Sequence, residues 1–172
     1  DQGADVTLVL GPSNISPNRR NINLIPVTSA KEMYDAVMAF FPKTDIAVLS
    51  AAVADFRPEM VAEQKIKKNP DNDTFTIKLV KTEDILKSVG KIKTENQTVV
   101  GFALETENGL ENAKKKLHTK NIDLIVLNEM NESGVGFKTK TNKISIITKN
   151  DEVTSYELKP KNEVATDILK AI

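Results

Sequence analysis

The chain has 172 residues, 40% of them apolar, which suits one domain with a real hydrophobic core. Lysine plus arginine balance aspartate plus glutamate at 24 each, so no global field favours nucleic acid. Cysteine is absent, which excludes a disulfide framework, a thiolate metal site and a thiol nucleophile. The lone histidine, His118, falls among lysines late in a predicted helix and reads as a solvated structural residue. No apolar run approaches the roughly 20 residues that span a bilayer. Asp1-Gln2-Gly3-Ala4 does not resemble a signal peptide, so a cytoplasmic protein with no membrane or nucleic-acid partner is expected.

In chain order, Val6–Leu10 and Leu24–Val27 read as strands. Ser29-x-x-Glu32 is a capping box that opens a helix to about Phe41, with Met33, Val37 and Phe40 on one face. Pro42 stops it. Ile46-Ala47-Val48-Leu49 lacks polar alternation, so the spacing predicts a strand covered on both faces. Phe75–Val80 alternates and suits a half-exposed strand. Thr82 is expected to cap a helix through Ile92, with Ile85, Leu86, Val89 and Ile92 apolar. Thr98–Leu104 and Ile122–Asn128 read as buried strands around a basic-ended helix at 107–119. Lys149-Asn150-Asp151 is a hairpin turn between Lys143–Thr148 and Glu152–Leu158, and a last helix covers Lys161–Ile172. This alternation predicts an α/β fold: a Rossmann-like, three-layer open sheet, mostly parallel with an antiparallel hairpin. The whole of residues 1–172 reads as one domain.

The start of the chain fits that fold poorly. Gly3 before Val6 reads as a helix C-cap leading into a strand, yet no helix precedes it. Doubly wound folds open with a strand, a glycine-rich turn and a phosphate-holding helix. Gly11-Pro12-Ser13 is too poor in glycine to be that turn. The chain is therefore expected to be a fragment lacking its leading βα unit.

The segment richest in chemistry runs from Asp45 to Lys68. Small residues, Ser50, Ala51, Ala52 and Ala54, follow the strand Ile46–Leu49, and then comes Asp55. In open α/β sheets ligands bind at the carboxyl ends of strands. About 57–74 reads as a flexible flap that carries Lys65, Lys67 and Lys68. Small residues, a carboxylate and a lysine cluster suit a polyanion.

Ala51-Ala52-Val53-Ala54-Asp55-Phe56, with Lys65-Ile66-Lys67-Lys68 ten residues after Asp55, resembles the phosphopantothenoylcysteine synthetase family. The resemblance continues through Gly101-Phe102-Ala103-Leu104-Glu105-Thr106, Lys116, Lys120, Asn121-Ile122-Asp123-Leu124-Ile125, Asn128 and Gly136-Phe137. It implies a ligase of coenzyme A biosynthesis. CTP would activate 4′-phosphopantothenate as an acyl-cytidylate with loss of pyrophosphate, and L-cysteine would then displace CMP. The resemblance further implies Lys65 as the catalytic lysine, Asp55 as ribose acceptor, and Leu49, Ser50 and Ala51 as the strand end lining the nucleotide. It places Glu83, Asp84, Ile85 and Leu86 at the base, and Phe102, Lys116 and Lys120 beside the nucleotide. Ala51, Ala52 and Asn128 fall to the acyl substrate. Thr82-Glu83 stands where the family commonly has Asn-Pro, which leaves ATP as a rival nucleotide. Mg²⁺ is the implied ion, with no metal ligands assigned. A homodimer with shared sites and a fused flavin-dependent decarboxylase, the only part that would need FMN, are the implied partners. The competing class is a nucleotide-binding regulatory or assembly module without turnover. A dinucleotide redox enzyme ranks third, for lack of G-x-G-x-x-G before a helix.

Overall fold

A computed structural model describes residues 3–14, 17, 22–67, 74–105, 107–129 and 139–172. The elements in chain order are β1 (Val6–Leu10), β2 (Ile22–Pro26), α1 (Ala30–Phe40), β3 (Ile46–Leu49), β4 (Phe56–Pro58), β5 (Leu79–Lys81) and α2 (Ile85–Ile92). There follow β6 (Thr98–Glu105), α3 (Gly109–Thr119), β7 (Leu124–Glu129), β8 (Thr141–Asn142), β9 (Ile144–Thr148), β10 (Val153–Ser155), β11 (Lys159–Pro160) and α4 (Lys161–Ala171). The chain divides into two compact units, residues 1–36 with 52–84, and residues 37–51 with 85–172.

The larger unit is built on a five-stranded sheet in the order β10-β9-β7-β6-β3. β3, β6 and β7 run parallel, and β9 and β10 complete it antiparallel. The mixed, mostly parallel α/β architecture expected from strand–helix alternation is present. Val100, Leu124, Val126, Ile144 and Ile146 pack on one face against Val164 and Ile168 of α4. On the other face Leu86 of α2 and Ile122 close over Gly101, where a β-carbon would lie 2.8 Å from each. Ala113 and Leu117 of α3 are wholly buried. Each such leucine contributes about 1.5–3 kcal/mol of burial.

β3 corrects one expectation. Among the described residues it pairs with β6 alone and forms the edge of this sheet, and Ile46 and Val48 are 49% and 46% exposed. A run of apolar residues reveals that a strand suits burial, but not how many neighbours it has.

Polar groups lock the amino end of this unit. Lys93 Nζ lies 2.7 and 2.9 Å from the two carboxylate oxygens of Asp123, and Asp123 Oδ2 also accepts from the Val99 N–H at 2.8 Å. Gln97 Nε2 donates to the carbonyls of Phe41 and Thr44 at 2.9 and 2.8 Å. The predicted hairpin forms between β9 and β10, with Asp151 at φ 64 in its turn. His118 is exposed and pairs with Asp151 at 3.1 Å, in keeping with a structural role.

The smaller unit holds the parallel pair β1–β2 and the antiparallel pair β4–β5. Pairing of Phe56 with Lys81 and of Pro58 with Leu79 turns the first residues of the expected flap into a short ribbon. The strand foreseen at Phe75–Val80 is accordingly confined to Leu79–Lys81.

The capping box at the start of α1 is present and extended. Glu32 Oε2 accepts from the N–H of Thr28 at 2.6 Å, the Thr28 hydroxyl at 2.7 Å and the N–H of Ser29 at 3.0 Å. Ser29 Oγ accepts from the Glu32 N–H at 3.2 Å. Led by the Thr28 N–H, these donors hold the Glu32 carboxyl at about 2, below its ordinary 4.5. The carboxylate form is the one favoured by folding. Its contribution is therefore full above pH 4.5 and is lost as pH falls toward 2. Glu32→Gln should melt lower than the parent at neutral pH, and the gap should close on acidification through that window. A gap constant with pH would show that the carboxylate is not the capping group.

Candidate functional site

In the larger unit, the β3–β6 register sets Leu49 opposite Gly101, so the chain leaves β3 at Ser50 and Ala51 beside Phe102. Both residues are exposed there. Phe102 is half-buried, with its ring packed against the α4-side core. Its carbonyl lies beyond the last β3 partner and accepts from Lys116 Nζ at 3.1 Å. Leu86 is held next to this point because Gly101 has no side chain. Strand end, aromatic, ammonium group and the first turn of α2 are thus brought together by one unit. Ile85 opens α2, and the N–H groups of a helix's first turn have no intrahelical acceptor, which suits recognition through the backbone.

Lys120 sits differently. It follows the last turn of α3, one turn beyond Lys116, with its carbonyl against Gly90 of α2. Lys116 and Lys120 are both half-buried and lie four residues apart on one helical face. Asn128 is the next-to-last residue of β7, opposite Leu104 and Ile144. Its Oδ1 is buried and has no donor among the described residues, which leaves an acceptor for an N–H or O–H group of a ligand.

In the smaller unit Asp55 is exposed directly before β4, and Ala52 is exposed three residues earlier. Thr82 fixes this turn: its N–H donates to the Asp55 carbonyl at 2.9 Å and its hydroxyl to the Ala54 carbonyl at 2.5 Å. Thr82 is therefore not the cap of α2 that the sequence suggests, since α2 begins three residues later at Ile85. Its hydroxyl serves the backbone that presents Asp55. Glu83 and Asp84 follow, exposed. Lys65 and Lys67 are exposed, while Lys68 and the Gly136-Phe137 pair lie outside the described residues. Among the described residues no group of three His, Cys, Asp or Glu side chains is placed to hold a metal, and no helix is long and apolar enough to cross a membrane.

Residues 1–172 match the family described as the DNA/pantothenate metabolism flavoprotein C-terminal domain. The chain belongs to this family. Among curated relatives it is 43% identical over 170 residues to the coenzyme A biosynthesis bifunctional protein CoaBC of Vibrio vulnificus, covering 99% of this chain and 42% of that protein. It is 48% identical over 170 residues to a cysteine/cysteine sulfinic acid decarboxylase of an unknown prokaryotic organism, covering 47% of that protein. The chain thus spans under half the length of these relatives. Among solved structures, the C-terminal domain of a CoaBC protein superposes with a TM-score of 0.79 at 36% identity, over 98% of this chain and 73% of that one. The likeness to this solved domain accords with the mixed, mostly parallel sheet.

Thr82, Gly90, Gly101 and Asn121 were not among the residues that sequence reasoning assigned to the site. A glycine inside a predicted helix or strand is the one sequence signal that could have revealed the close approach at Gly90 and Gly101.

Proposed function

We propose that this chain is a phosphopantothenate–cysteine ligase of coenzyme A biosynthesis that uses CTP. The observation that carries the reading is the Lys116 ammonium group held on the Phe102 carbonyl beside the open end of β3. A fixed cation there suits a triphosphate, and membership of a pantothenate-metabolism family supports a ligation in coenzyme A biosynthesis.

In the first step a carboxylate oxygen of 4′-phosphopantothenate attacks the α-phosphorus of CTP, and the bond to the β-phosphate breaks to release pyrophosphate. In the second, the amine of L-cysteine attacks the acyl carbon, CMP departs, and the nitrogen loses a proton as the amide forms. Both reactants of the first step are anions, so positioning and charge stabilisation do most of the work. Lys65 is assigned to the charge developing at the α-phosphate, and Lys116 and Lys120 to the remaining phosphates. Asp55 is assigned to the ribose, the backbone of Glu83–Leu86 to the base, and Ala51, Ala52 and Asn128 to the acyl substrate. Mg²⁺, when bound with the nucleotide, would supply further neutralisation of the phosphates. A homodimer and a fused decarboxylase that binds FMN complete the proposal. The decarboxylase name borne by one relative belongs to a protein of which the matched part is 47%.

The Asp55 assignment separates binding from structure. Asp55→Ala removes a charge-assisted contact of about 1.5–3 kcal/mol, so the Kd for CTP should rise by roughly one to two orders of magnitude. The 2′- or 3′-deoxynucleotide should lose much less, its own hydroxyl being already absent. Four titrations, two proteins against two nucleotides, check this alongside thermal melts. Equal losses with a lowered Tm would make Asp55 a support for the turn that Thr82 ties, and not a ribose ligand.

A regulatory module without turnover would bind CTP equally well. It would release no pyrophosphate when phosphopantothenate is added.

A further inference from the structure

Gly90 lies on α2 where that helix meets the end of α3. A β-carbon at Gly90 would stand 1.8 Å from the Lys120 carbonyl oxygen, 3.0 Å from its carbon and 3.1 Å from the Asn121 carbonyl oxygen. The obstacle is backbone, which cannot swing aside as a side-chain tip would. Asn121 closes the contact from the other side: its Nδ2 donates to the Gly90 carbonyl at 2.8 Å. Asn121 itself sits at φ 52, in the left-handed region that asparagine tolerates better than most residues. That turn ends α3 through the N–H of Asn121 on the His118 carbonyl and the N–H of Ile122 on the Leu117 carbonyl, both at 3.2 Å.

These contacts form a closed mechanical circuit. At one end of α2, Leu86 is seated on Gly101, next to Phe102. At the other, Gly90 is seated on Lys120. One helical turn before Lys120, Lys116 returns to the Phe102 carbonyl. α2 therefore fixes the position of the lysine face of α3 relative to β6. Plain helix packing would need only a small residue at position 90. The side-chain hydrogen bond and the left-handed asparagine add a directional lock at the residue after Lys120.

We propose that Gly90 and Asn121 are positioning residues that set where Lys120, and with it Lys116, meets the nucleotide's phosphates. The inference rests on the nucleotide reading of those lysines. Gly90→Ala would force the two backbones apart by about 1.5 Å to reach ordinary contact, moving Lys120 while removing no charge.

The test is calorimetric binding of CTP and of CMP to the wild type, Gly90→Ala, Asn121→Gly, Lys120→Ala and the Gly90→Ala/Lys120→Ala double variant, with melts of each. Lys120→Ala should weaken CTP more than CMP. Gly90→Ala should lower the CTP:CMP affinity ratio about tenfold, and adding it to Lys120→Ala should lower that ratio no further, because the two act on one contact. Asn121→Gly keeps the left-handed turn without the side-chain bond. It should give a smaller loss in the same ratio, about threefold, and it carries the test if Gly90→Ala fails to fold. A lowered Tm with an unchanged ratio in both clamp variants would overturn the proposal, provided Lys120→Ala shifts it. If Lys120→Ala leaves the ratio unchanged, the phosphate role of Lys120 fails and the clamp proposal falls with it.

Discussion

Lys65→Gln is expected to abolish pyrophosphate release from CTP and 4′-phosphopantothenate while leaving the Tm unchanged. Stabilisation of charge at a reacting centre by one well-placed donor is worth about 10²–10³ in rate. A lysine that supplies full charge to a pentacoordinate phosphorus should sit at or above the top of that range. The fold has no such stake in the residue, because Lys65 is exposed and exposed substitutions away from specific contacts move stability by about 0.5 kcal/mol or less. Binding of CTP should persist, weakened at most modestly, since Asp55, Lys116 and Lys120 are untouched. Separate measurements of CTP affinity and pyrophosphate release distinguish the two losses. Near wild-type turnover would remove Lys65 from the mechanism.

The second large effect is on stability, and it lies at the opposite end of the sheet from the site. Lys93 and Asp123 are only 12% and 15% exposed, and their ion pair is reinforced by the Val99 N–H on the same carboxylate. Lys93→Met leaves that carboxylate with too few donors in a largely dry place, which costs about 3–5 kcal/mol. For a chain of this size the Tm should fall by roughly 10 °C. Asp123→Asn keeps an acceptor for Val99 and should cost less. In a double-mutant cycle the combined variant should be less destabilised than the sum of the two. Strict additivity would show that the pair is not coupled. CTP affinity measured well below the lowered Tm should be unchanged in Lys93→Met, because the side chain is bonded to Asp123 and the Gln97 carbonyl and not to any proposed nucleotide contact.

The sequence disclosed local devices better than neighbours. Ser29-x-x-Glu32 announces its helix because both side chains act within one turn, and the hairpin at Lys149–Asp151 is likewise a matter of adjacent residues. The apolar run Ile46–Leu49 gives a strand, but its place at the sheet edge depends on pairing partners distant in sequence. Thr82 shows the same limit at the site. A threonine before a helical pattern reads as a cap, yet a turn 28 residues earlier in the chain supplies a better acceptor for its hydroxyl. Phe102 and Lys116 were named from the family motif, and their contact is what only the fold could supply. Asn121 falls within the family motif and Gly90 in none, and the contact between them depends on how closely two helices approach, which no local pattern reveals.

The most direct measurement is nucleotide-resolved product formation by the full polypeptide carrying this chain. With CTP, Mg²⁺ and 4′-phosphopantothenate but no cysteine, one pyrophosphate and one acyl-cytidylate per active site are expected, followed by CMP release when L-cysteine is added. CTP binding without pyrophosphate release under these conditions would contradict the ligase reading and leave a nucleotide-binding module.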